Sequence, residues 1–582
     1  MRYQIITALC IGYILWFTIL PVEQYWCETD IQFTEVICGV SVVAVLMLVW
    51  RKQQVTLSAI DIIVVLWFIY VMLRSYVDST YPCANFILRV MQMTALYVCL
   101  RILFSSVMIS EKNIVFIVLI CAIYEVILGA GQMINGGSRH YLFPMTGSFL
   151  NPGPYSIFLS MGLVMSCQMR KEYYTGKGVF TSMTSCLPVV FLVLLPATWS
   201  RAALLSAVIC LGVIYWDKWK RWKWQVAFVI VLIMIGLYFM KKGSADGRSI
   251  IYMISLLNIL QHPLFGSGIS SFRHQYAEGM ATFSTQHPTF DFLSADVTSN
   301  AYNCLLQIGV EQGVIGMGVS VVLIAMLFIK LNKRVKILGM GLLCLLIFSM
   351  FSYPFEQLPY QIIFVMITAY VATDVAECVL STKWHIFCRC YLSPVVLCSA
   401  VILFSIFINK QIRERVRAES DYRMMAGVSN TAFIDDYYEL LPLMASNEHF
   451  LFDFAKMLAA DGRYNDSNAM LRLGTLISCD PMFYVIQGNN YSEMGFYQYA
   501  EQAYKEAFNI MPNRIYPLYQ LMLLYEKEGG KFDKIIEVAQ RIVYFNIKIR
   551  SPATDEILHK AKDILYQSRD NTNITSTNKK FN

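Results

Sequence analysis

Long apolar stretches recur from the N-terminus to about residue 409, and each is long enough to cross a lipid bilayer as a helix. Lipid offers no partners for backbone N–H and C=O groups, so spans of this kind fold as helices. The thirteen candidate spans are centred near residues 12, 43, 66, 96, 123, 162, 191, 209, 232, 317, 343, 367 and 399. With 57% hydrophobic residues and a mean hydropathy of +0.50, the composition excludes an ordinary soluble globular protein. The sequence predicts an all-α polytopic membrane domain over residues 1–409 with about 12–13 transmembrane helices.

Charged residues alternate between the connections that join these spans. Acidic residues occupy one set of connections, at Glu23, Glu28, Asp30, Asp78 and Glu356. Basic residues cluster in the other set, at Arg51-Lys52, Arg170-Lys171 with Lys177, Lys218 to Lys223, Lys330 to Lys336, and Lys383 to Arg389. The positive-inside rule makes the basic set cytoplasmic. The N-terminus is then inside, and the large polar loop of about residues 241–302 lies outside, facing the periplasm if the cell has two membranes.

The C-terminal part has the composition of a soluble domain. We expect a linker over residues 410–446, helical repeats over 447–567 and a disordered tail over 568–582. A 34-residue tetratricopeptide (TPR) template matches at Gly488, Tyr491, Gly495, Ala500, Tyr504, Ala507 and Pro512. About three such units fit, so a TPR-like domain is predicted. With the N-terminus inside, thirteen spans place this C-terminal domain outside, on the same predicted periplasmic side as the large loop. Its predicted function is to dock a partner protein, and the alternative is a cap that stabilises the membrane domain.

Two arginines lie within or close to the predicted membrane spans, where a charged side chain is costly. Arg201 stands in a very short connection between two spans, and an arginine at mid-bilayer costs about 3 kcal/mol. Arg248 begins an amphipathic stretch that ends at His262-Pro263, before Gly266 and Gly268. Both are predicted on the external side, where they suit the diphosphate of a lipid-linked substrate. The alternatives are a snorkelling arginine at the interface for Arg201 and an ordinary solvated side chain for Arg248.

Four motifs occur in a characteristic order, and together they resemble the O-antigen ligase and polymerase superfamily. They are Gly147 to Pro152 (GSFLNP), Ser200-Arg201 with Leu205, Gly247-Arg248 with His262 to Gly268 (HPLFGSG), and Asn303 with Gly313 and Gly316. The resemblance implies an inner-membrane glycosyltransferase that moves a glycan from undecaprenyl diphosphate to an acceptor outside the cytoplasm. It also implies an inverting reaction without a metal or other cofactor. The sequence contains no Asp-x-Asp motif and no glycine-rich phosphate loop.

The resemblance also implies roles for individual residues. Arg201 and Arg248 would hold the diphosphate, and Asn303, Gly313 and Gly316 would position the acceptor or the loop. Ligases of this family place a histidine before the asparagine, eleven residues ahead of the first glycine, where this chain has Tyr302. An unperturbed tyrosine, with a pKa of about 10, is a poor base at neutral pH. The candidate catalytic residues are therefore His287, Tyr302 and Glu311, with His274 and Glu278 as further alternatives from the loop.

The identity of the acceptor distinguishes a ligase from a polymerase. A ligase transfers the glycan to lipid A-core or to a protein, whereas an O-antigen, capsule or exopolysaccharide polymerase transfers it to another lipid-linked repeat. We expect a ligase and keep the polymerase as the alternative. A transporter or flippase would predict paired broken helices, repeats between the two halves and mid-membrane charges. The sequence has no halfway repeat, and its candidate charges lie at the outer edge. A non-catalytic scaffold is a further alternative. Neither a metal site nor a nucleic-acid partner is predicted.

Overall fold

The computed structural model describes residues 2–578 apart from 24, 52–56, 79, 108, 174–178, most of 223–241, 335, 374–393, 428–430 and 530. The secondary structure of these residues is helical, and none of them forms a β-strand. The chain divides into two compact units. The first unit comprises Met1–Asp78, Cys83–Lys241 and Tyr302–Glu419, and the second comprises Ser79–Pro82, Lys242–Ala301 and Ser420–Asn582.

The first unit contains the apolar helices. They are α1 (Arg2–Trp16), α2 (Glu28–Arg51), α3 (Ala59–Val77), α4 (Ala84–Ser106), α5 (Glu111–Asn135), α6 (Pro152–Tyr173), α7 (Val179–Leu194), α8 (Arg201–Ile214), α11 (Cys304–Arg334), α12 (Lys336–Ser349), α13 (Leu358–Thr373) and most of α14 (Pro394–Met425). Twelve of the thirteen predicted spans coincide with these helices. The span near residue 232 lies mostly outside the described residues, as do Lys52, Lys177, Lys223 and Lys383 to Arg389.

Several of these helices have the dimensions and composition of membrane spans. Five are long and apolar enough to cross a bilayer: Glu28–Met47, Ala59–Val77, Ala84–Ser106, Glu111–Asn135 and Cys304–Leu331. Shorter apolar helices accompany them in the same unit. The described part of the chain thus has the character of a multi-pass membrane protein.

Polar contacts at the helix ends reveal the direction in which neighbouring helices run. Lys171 Nζ, near the end of α6, donates a hydrogen bond to the Ile214 carbonyl at the end of α8, so α6 and α8 run in parallel. The Lys336 ammonium at the start of α12 lies 3.5 Å from the Glu172 carboxylate. We call this side of the first unit the basic end. Arg201 begins α8 and therefore lies at the opposite end, together with the start of α6.

Small side chains allow these helices to approach closely. Ser160 Oγ on α6 lies 3.1 Å from the Ala203 carbonyl of α8 and 3.0 Å from Cys344 Sγ of α12. Gly162 contacts the ring of Phe191, so that a Cβ at this position would overlap the ring. The core of the first unit consists of such tightly packed apolar side chains.

The second unit combines the long loop with the C-terminal helices. The loop contributes α9 (Lys242–Gln261) and α10 (Phe272–Gln286). The C-terminal helices are α15 (Ile434–Met444), α16 (Glu448–Ala460), α17 (Tyr464–Thr475), α18 (Met482–Glu493), α19 (Tyr497–Ile510), α20 (Tyr516–Glu528), α21 (Phe532–Val543) and α22 (Pro552–Asn578). From α16 to α22 each helix packs on the next, and α10 packs on α19.

The C-terminal helices repeat with a constant period. Helices α16, α18 and α20 begin at residues 448, 482 and 516, which are 34 residues apart each time. Each pair turns on a glycine with positive φ, at Gly462 (79°), Gly495 (78°) and Gly529 (72°), a backbone conformation that favours glycine. Gly488 lies against the Tyr504 ring, so that α18 and α19 approach closely. We call these helices the helical array; its assignment as tetratricopeptide repeats, like the predicted domain boundaries, stays a prediction.

Candidate functional site

The turn from Gly147 to Asn151 is held by two buried side chains of α5. The Glu125 carboxylate accepts hydrogen bonds from the Ser148 hydroxyl (2.7 Å) and from the Ser148 backbone N–H (3.1 Å). Gln132 accepts from the Gly147 N–H and donates to the Gly147 carbonyl, both at 2.8 Å. Gly147 has φ of 57°, and a Cβ there would overlap Glu125. The first motif is therefore a fixed turn that delivers the chain to α6.

Arg201 is the first residue of α8 and is half-buried. The Ser200 hydroxyl caps this helix by accepting from the Ala203 N–H at 3.4 Å, and Trp199 before it has φ of 54°. A cation in the first turn opposes the helix dipole, which is positive there. Its charge and the first N–H groups of α8 together form an electropositive position suited to an anion.

Tyr302 and Asn303 precede α11 and have different local roles. The Asn303 side-chain oxygen accepts from the backbone N–H groups of Leu305 (3.0 Å) and Leu306 (3.2 Å), so Asn303 caps the helix. Tyr302 has φ of 50°, and its ring packs edge-on against Tyr353 with centroids 5.5 Å apart. A non-glycine residue in this conformation stores about 1 kcal/mol of strain.

Gly313 interrupts α11 with φ of 66° and ψ of −166°. At this kink the Gln312 backbone carbonyl accepts a hydrogen bond from the Tyr70 hydroxyl of α3 at 2.7 Å. The Gln312 side-chain oxygen accepts a hydrogen bond from the Trp67 indole N–H at 3.3 Å. Just before this kink lies Glu311, which is 6% exposed and accepts from the Gln307 side chain at 2.9 Å. The Gly-x-x-Gly motif therefore forms a kink braced by α3, with a nearly buried carboxylate beside it.

Arg248 lies on α9 in the second unit and is half-buried. Its neighbour Gly247 passes close to the loop backbone, and a Cβ there would lie 2.7 Å from the Ser294 carbonyl oxygen. Burial raises the pKa of the Tyr252 phenol, an effect that the nearby Arg248 charge opposes. Glycine is thus required before Arg248 for close packing.

Helix α9 ends at Gln261, directly before His262-Pro263, and a turn follows. The Gly266 N–H donates to the His262 carbonyl at 3.1 Å, and Gly266 and Gly268 have φ of 69° and 117°. The helix and its turn leave an apolar surface exposed, formed by Leu256, Leu257, Leu260, Leu264 and Phe265. Ile250, Ile251 and Ile254 of the same helix are buried. The stretch therefore has both a buried apolar side and an exposed apolar surface.

The loop histidines differ in accessibility. His287 ends α10, is exposed, and stacks on Phe283 with ring centroids 4.4 Å apart. His274 lies near the start of the same helix, with Nδ1 2.9 Å from the Thr475 carbonyl and Nε2 3.7 Å from Glu278. His274 is therefore committed to packing within the second unit, and His287 is the more accessible candidate base.

Residues 187–320 match the O-antigen ligase family model. This similarity spans less than half of the chain, and it includes Arg201, Arg248, Asn303, Gly313 and Gly316. The turn at Gly147 and the helical array lie outside it. Comparison with curated proteins gives no match. The similarity supports an O-antigen ligase-like glycan transferase, which uses a lipid-linked glycan donor and an acceptor.

The candidate residues are divided between the two units. Arg201, Tyr302, Asn303, Glu311 and both motif glycines belong to the first unit, whereas Arg248, His274, Glu278 and His287 belong to the second. Among the described residues, no group of three or more His, Cys, Asp or Glu is arranged to hold a metal ion.

The residues that brace the motifs were absent from the sequence prediction. Glu125 and Gln132 brace the Gly147 turn, and Trp67 and Tyr70 brace the kink at Gly313. A glutamate within an apolar span is a visible signal in the sequence, since such a charge needs a reason. The partners of Trp67 and Tyr70 lie more than 240 residues away in the chain, and no sequence pattern indicates them.

Proposed function

We propose that this protein transfers a glycan from undecaprenyl diphosphate to an acceptor at the outer face of the bacterial inner membrane, as an O-antigen ligase does. The observation that carries the proposal is the position of Arg201. It begins α8 within the segment similar to the O-antigen ligases, at the end of the first unit opposite the basic end. Under the positive-inside rule this end is periplasmic.

The reaction needs a cation at the leaving group. An acceptor hydroxyl attacks the anomeric carbon from the face opposite the diphosphate, a C–O bond to the sugar forms, and the bond to the phosphate oxygen breaks. The released diphosphate takes up the electron pair, and the charges of Arg201 and Arg248 stabilise it. Attack from the opposite face inverts the anomeric carbon. Because the arginines supply the positive charge, the proposed reaction requires no metal.

The acceptor proton goes to a base, for which His287, Tyr302 and Glu311 are the candidates. His287 is exposed, and an imidazole is a side chain that enzymes commonly use as a general base. Tyr302 directly precedes the Asn303 cap of α11, and Glu311 lies within α11, two residues before the Gly313 kink. Glu311 already accepts a hydrogen bond from Gln307, which orients its carboxylate. We propose His287 as the base to test first, and lipid A-core or a protein as the acceptor class.

The experiment is complementation of a strain that lacks the gene, with surface glycan separated on a gel. We expect Arg201→Ala and Arg248→Ala each to lower transfer by about 10²–10³-fold, since each removes a charge from the leaving group. His287→Ala tests the base in the same assay. Arg550→Ala is the matched control, because Arg550 is an exposed arginine of the second unit outside the similar segment.

The pattern of surviving glycan distinguishes the two enzymes. Loss of all attached glycan supports a ligase, whereas retention of a single attached repeat indicates a polymerase. Full activity of both arginine variants, at normal protein levels, would contradict the proposed role of the arginines in binding diphosphate.

A further inference from the structure

Three backbone carbonyls of the loop converge on one side-chain amide of the helical array. Asn513 Nδ2 donates to the carbonyls of Phe292 (3.1 Å), Leu293 (3.2 Å) and Ala295 (2.7 Å). Asn513 is 8% exposed and lies in the connection between α19 and α20. Because all three acceptors are backbone carbonyls, this buried amide binds the loop through its backbone conformation and not through a particular side chain.

The neighbouring connections of the array contact the same segment of the loop. Cys479, between α17 and α18, accepts from the Thr298 N–H at 3.3 Å and donates to the Thr298 carbonyl at 3.1 Å. Lys548, after α21, donates to the Ala295 carbonyl at 3.1 Å. Cys479 and Asn513 are 34 residues apart, and so are Arg514 and Lys548. The loop therefore contacts equivalent positions in successive repeats, along one edge of the array.

Charge complementarity fixes the register of the loop on this edge. The Asp296 carboxylate lies 3.3 Å from both Arg514 and Lys548. Nearer the start of the array, Arg273 pairs with Glu448 at 2.8 Å. Exposed ion pairs of this kind contribute little stability each, so their role is specificity.

Apolar side chains of the loop are buried beside these polar contacts. Tyr276 and Met280 of α10 are 1% and 0% exposed, and Phe292 of the loop is 7% exposed. Helix α10 packs on α19, and the Ser284 hydroxyl donates to the Asn509 carbonyl at 2.7 Å. Removing side chains of this size from water favours the packed position of the loop. The loop thus has both an apolar anchor and a set of directed polar contacts on the array.

We propose that this edge of the helical array is a binding surface for the chain's own loop, and that it holds the loop in the conformation needed for transfer. We call it the loop-binding edge, formed by the connections around Cys479, Asn513 and Lys548. The occupant is the segment of residues 272–300. A foreign protein would have to use another face of the array or displace this segment. The role in transfer rests on the function proposed above, whereas the binding itself does not.

The test uses the full-length protein in lipid nanodiscs and the isosteric variant Asn513→Asp. This change replaces the amide donor by a carboxylate facing three carbonyl oxygens, which repel it. We expect the backbone amides of residues 289–300 to exchange hydrogen about tenfold faster or more, because the segment opens locally. Glycan transfer should fall together with this protection. The control is Asn465→Asp on α17, an exposed amide of the same array, which should change neither quantity.

A second pair of variants covers the case in which Asn513→Asp fails to fold. Asp296→Arg places three cations together at an exposed position and should release the loop, and Asp296→Arg with Arg514→Asp should restore part of the protection. Unchanged exchange in both Asn513→Asp and Asp296→Arg would refute the loop-binding edge. Faster exchange with undiminished transfer would refute its role in positioning.

The measurements distinguish failure of the proposed function from failure of the loop-binding edge. If the parent protein and its arginine variants all lack transfer, the exchange measurement still reports on the loop-binding edge by itself. If a partner protein occupies the edge instead, the loop amides of the parent protein will already exchange at the rate of Asn513→Asp.

Discussion

At the scale of single residues, the motifs owe their composition to backbone geometry as much as to chemistry. Gly313 adopts a conformation that other residues reach only with strain, and the kink it makes turns the Gln312 carbonyl toward Tyr70. Gly147 likewise combines positive φ with a close approach to Glu125. Asn303 completes the end of a helix. Several residues that resemble catalytic motif positions are thus also explained by the fold.

We expect Gly313→Ala to destabilise the protein by about 1–2 kcal/mol, because alanine at φ of 66° is strained. The matched control is Gly318→Ala in the same helix. No heavy atom lies within 4 Å of a Cβ built at Gly318, so alanine should be neutral or slightly stabilising there. Thermal unfolding in one detergent measures both variants. Equal melting temperatures for the two would contradict the account of the kink.

At the scale of elements, helix α19 carries two glutamates whose environments shift the side-chain pKa in opposite directions. Burial opposes ionisation of Glu501, but hydrogen bonds and charges from Lys505 and Lys534 outweigh it and lower its pKa to about 2. Burial raises the pKa of Glu506, and the Glu278 carboxylate of α10 adds to the effect. The contact between α19 and the loop helix α10 therefore contains an unfavourable charge at neutral pH, although the rest of the contact is favourable.

The two glutamates predict opposite dependences of stability on pH. Because the folded pKa of Glu506 is raised, its ionisation costs stability as pH rises above about 4.3, the unfolded value. Glu506→Gln should therefore be more stable than the parent protein at pH 7 and equal to it near pH 4. Because the folded pKa of Glu501 is lowered, Glu501→Gln should be less stable at pH 7, and the difference should vanish as pH falls toward 2. Chemical denaturation at a series of pH values measures both, and the same sign for the two variants would contradict this assignment.

At the scale of the whole molecule, the loop that lies in sequence between the apolar helices α8 and α11 belongs to the same compact unit as the C-terminal helices. Residues 242–301 belong to the second unit, although they lie in sequence within the segment similar to the O-antigen ligases. The loop that carries Arg248 and His287 is therefore built into a folded unit with the helical array.

The predicted topology places residue 286 and residue 218 on opposite sides of the membrane. Gln286→Cys in the loop and Lys218→Cys at the basic end both replace exposed side chains. In intact cells, an impermeant thiol reagent should label Gln286→Cys above the background of the parent protein. It should label Lys218→Cys only after the cells are opened. Labelling in the reverse pattern would overturn the topology and the proposed reaction with it.

The sequence by itself determined where the apolar helices lie, the period of the helical array and the positions of the glycines. Each of these depends on interactions between residues close in the chain, or on a periodic pattern that one helix face displays. Helix α9 ends before His262-Pro263, as the sequence predicted, because proline and glycine act on their own backbone. The resemblance to the O-antigen ligase and polymerase superfamily was inferred from four such local motifs in order, three of which lie within the matched residues 187–320.

Only the tertiary structure decided which distant residues support these motifs. Glu125 holds the Gly147 turn, Tyr70 holds the kink at Gly313, and Asn513 holds a loop more than 200 residues away. These are contacts between single polar atoms, and their energy depends on geometry that the whole fold creates. Such pairings between distant residues cannot be inferred from a pattern of residue types. The sequence predicted a surface for docking a partner, and the structure has the protein's own loop bound along one edge of the helical array.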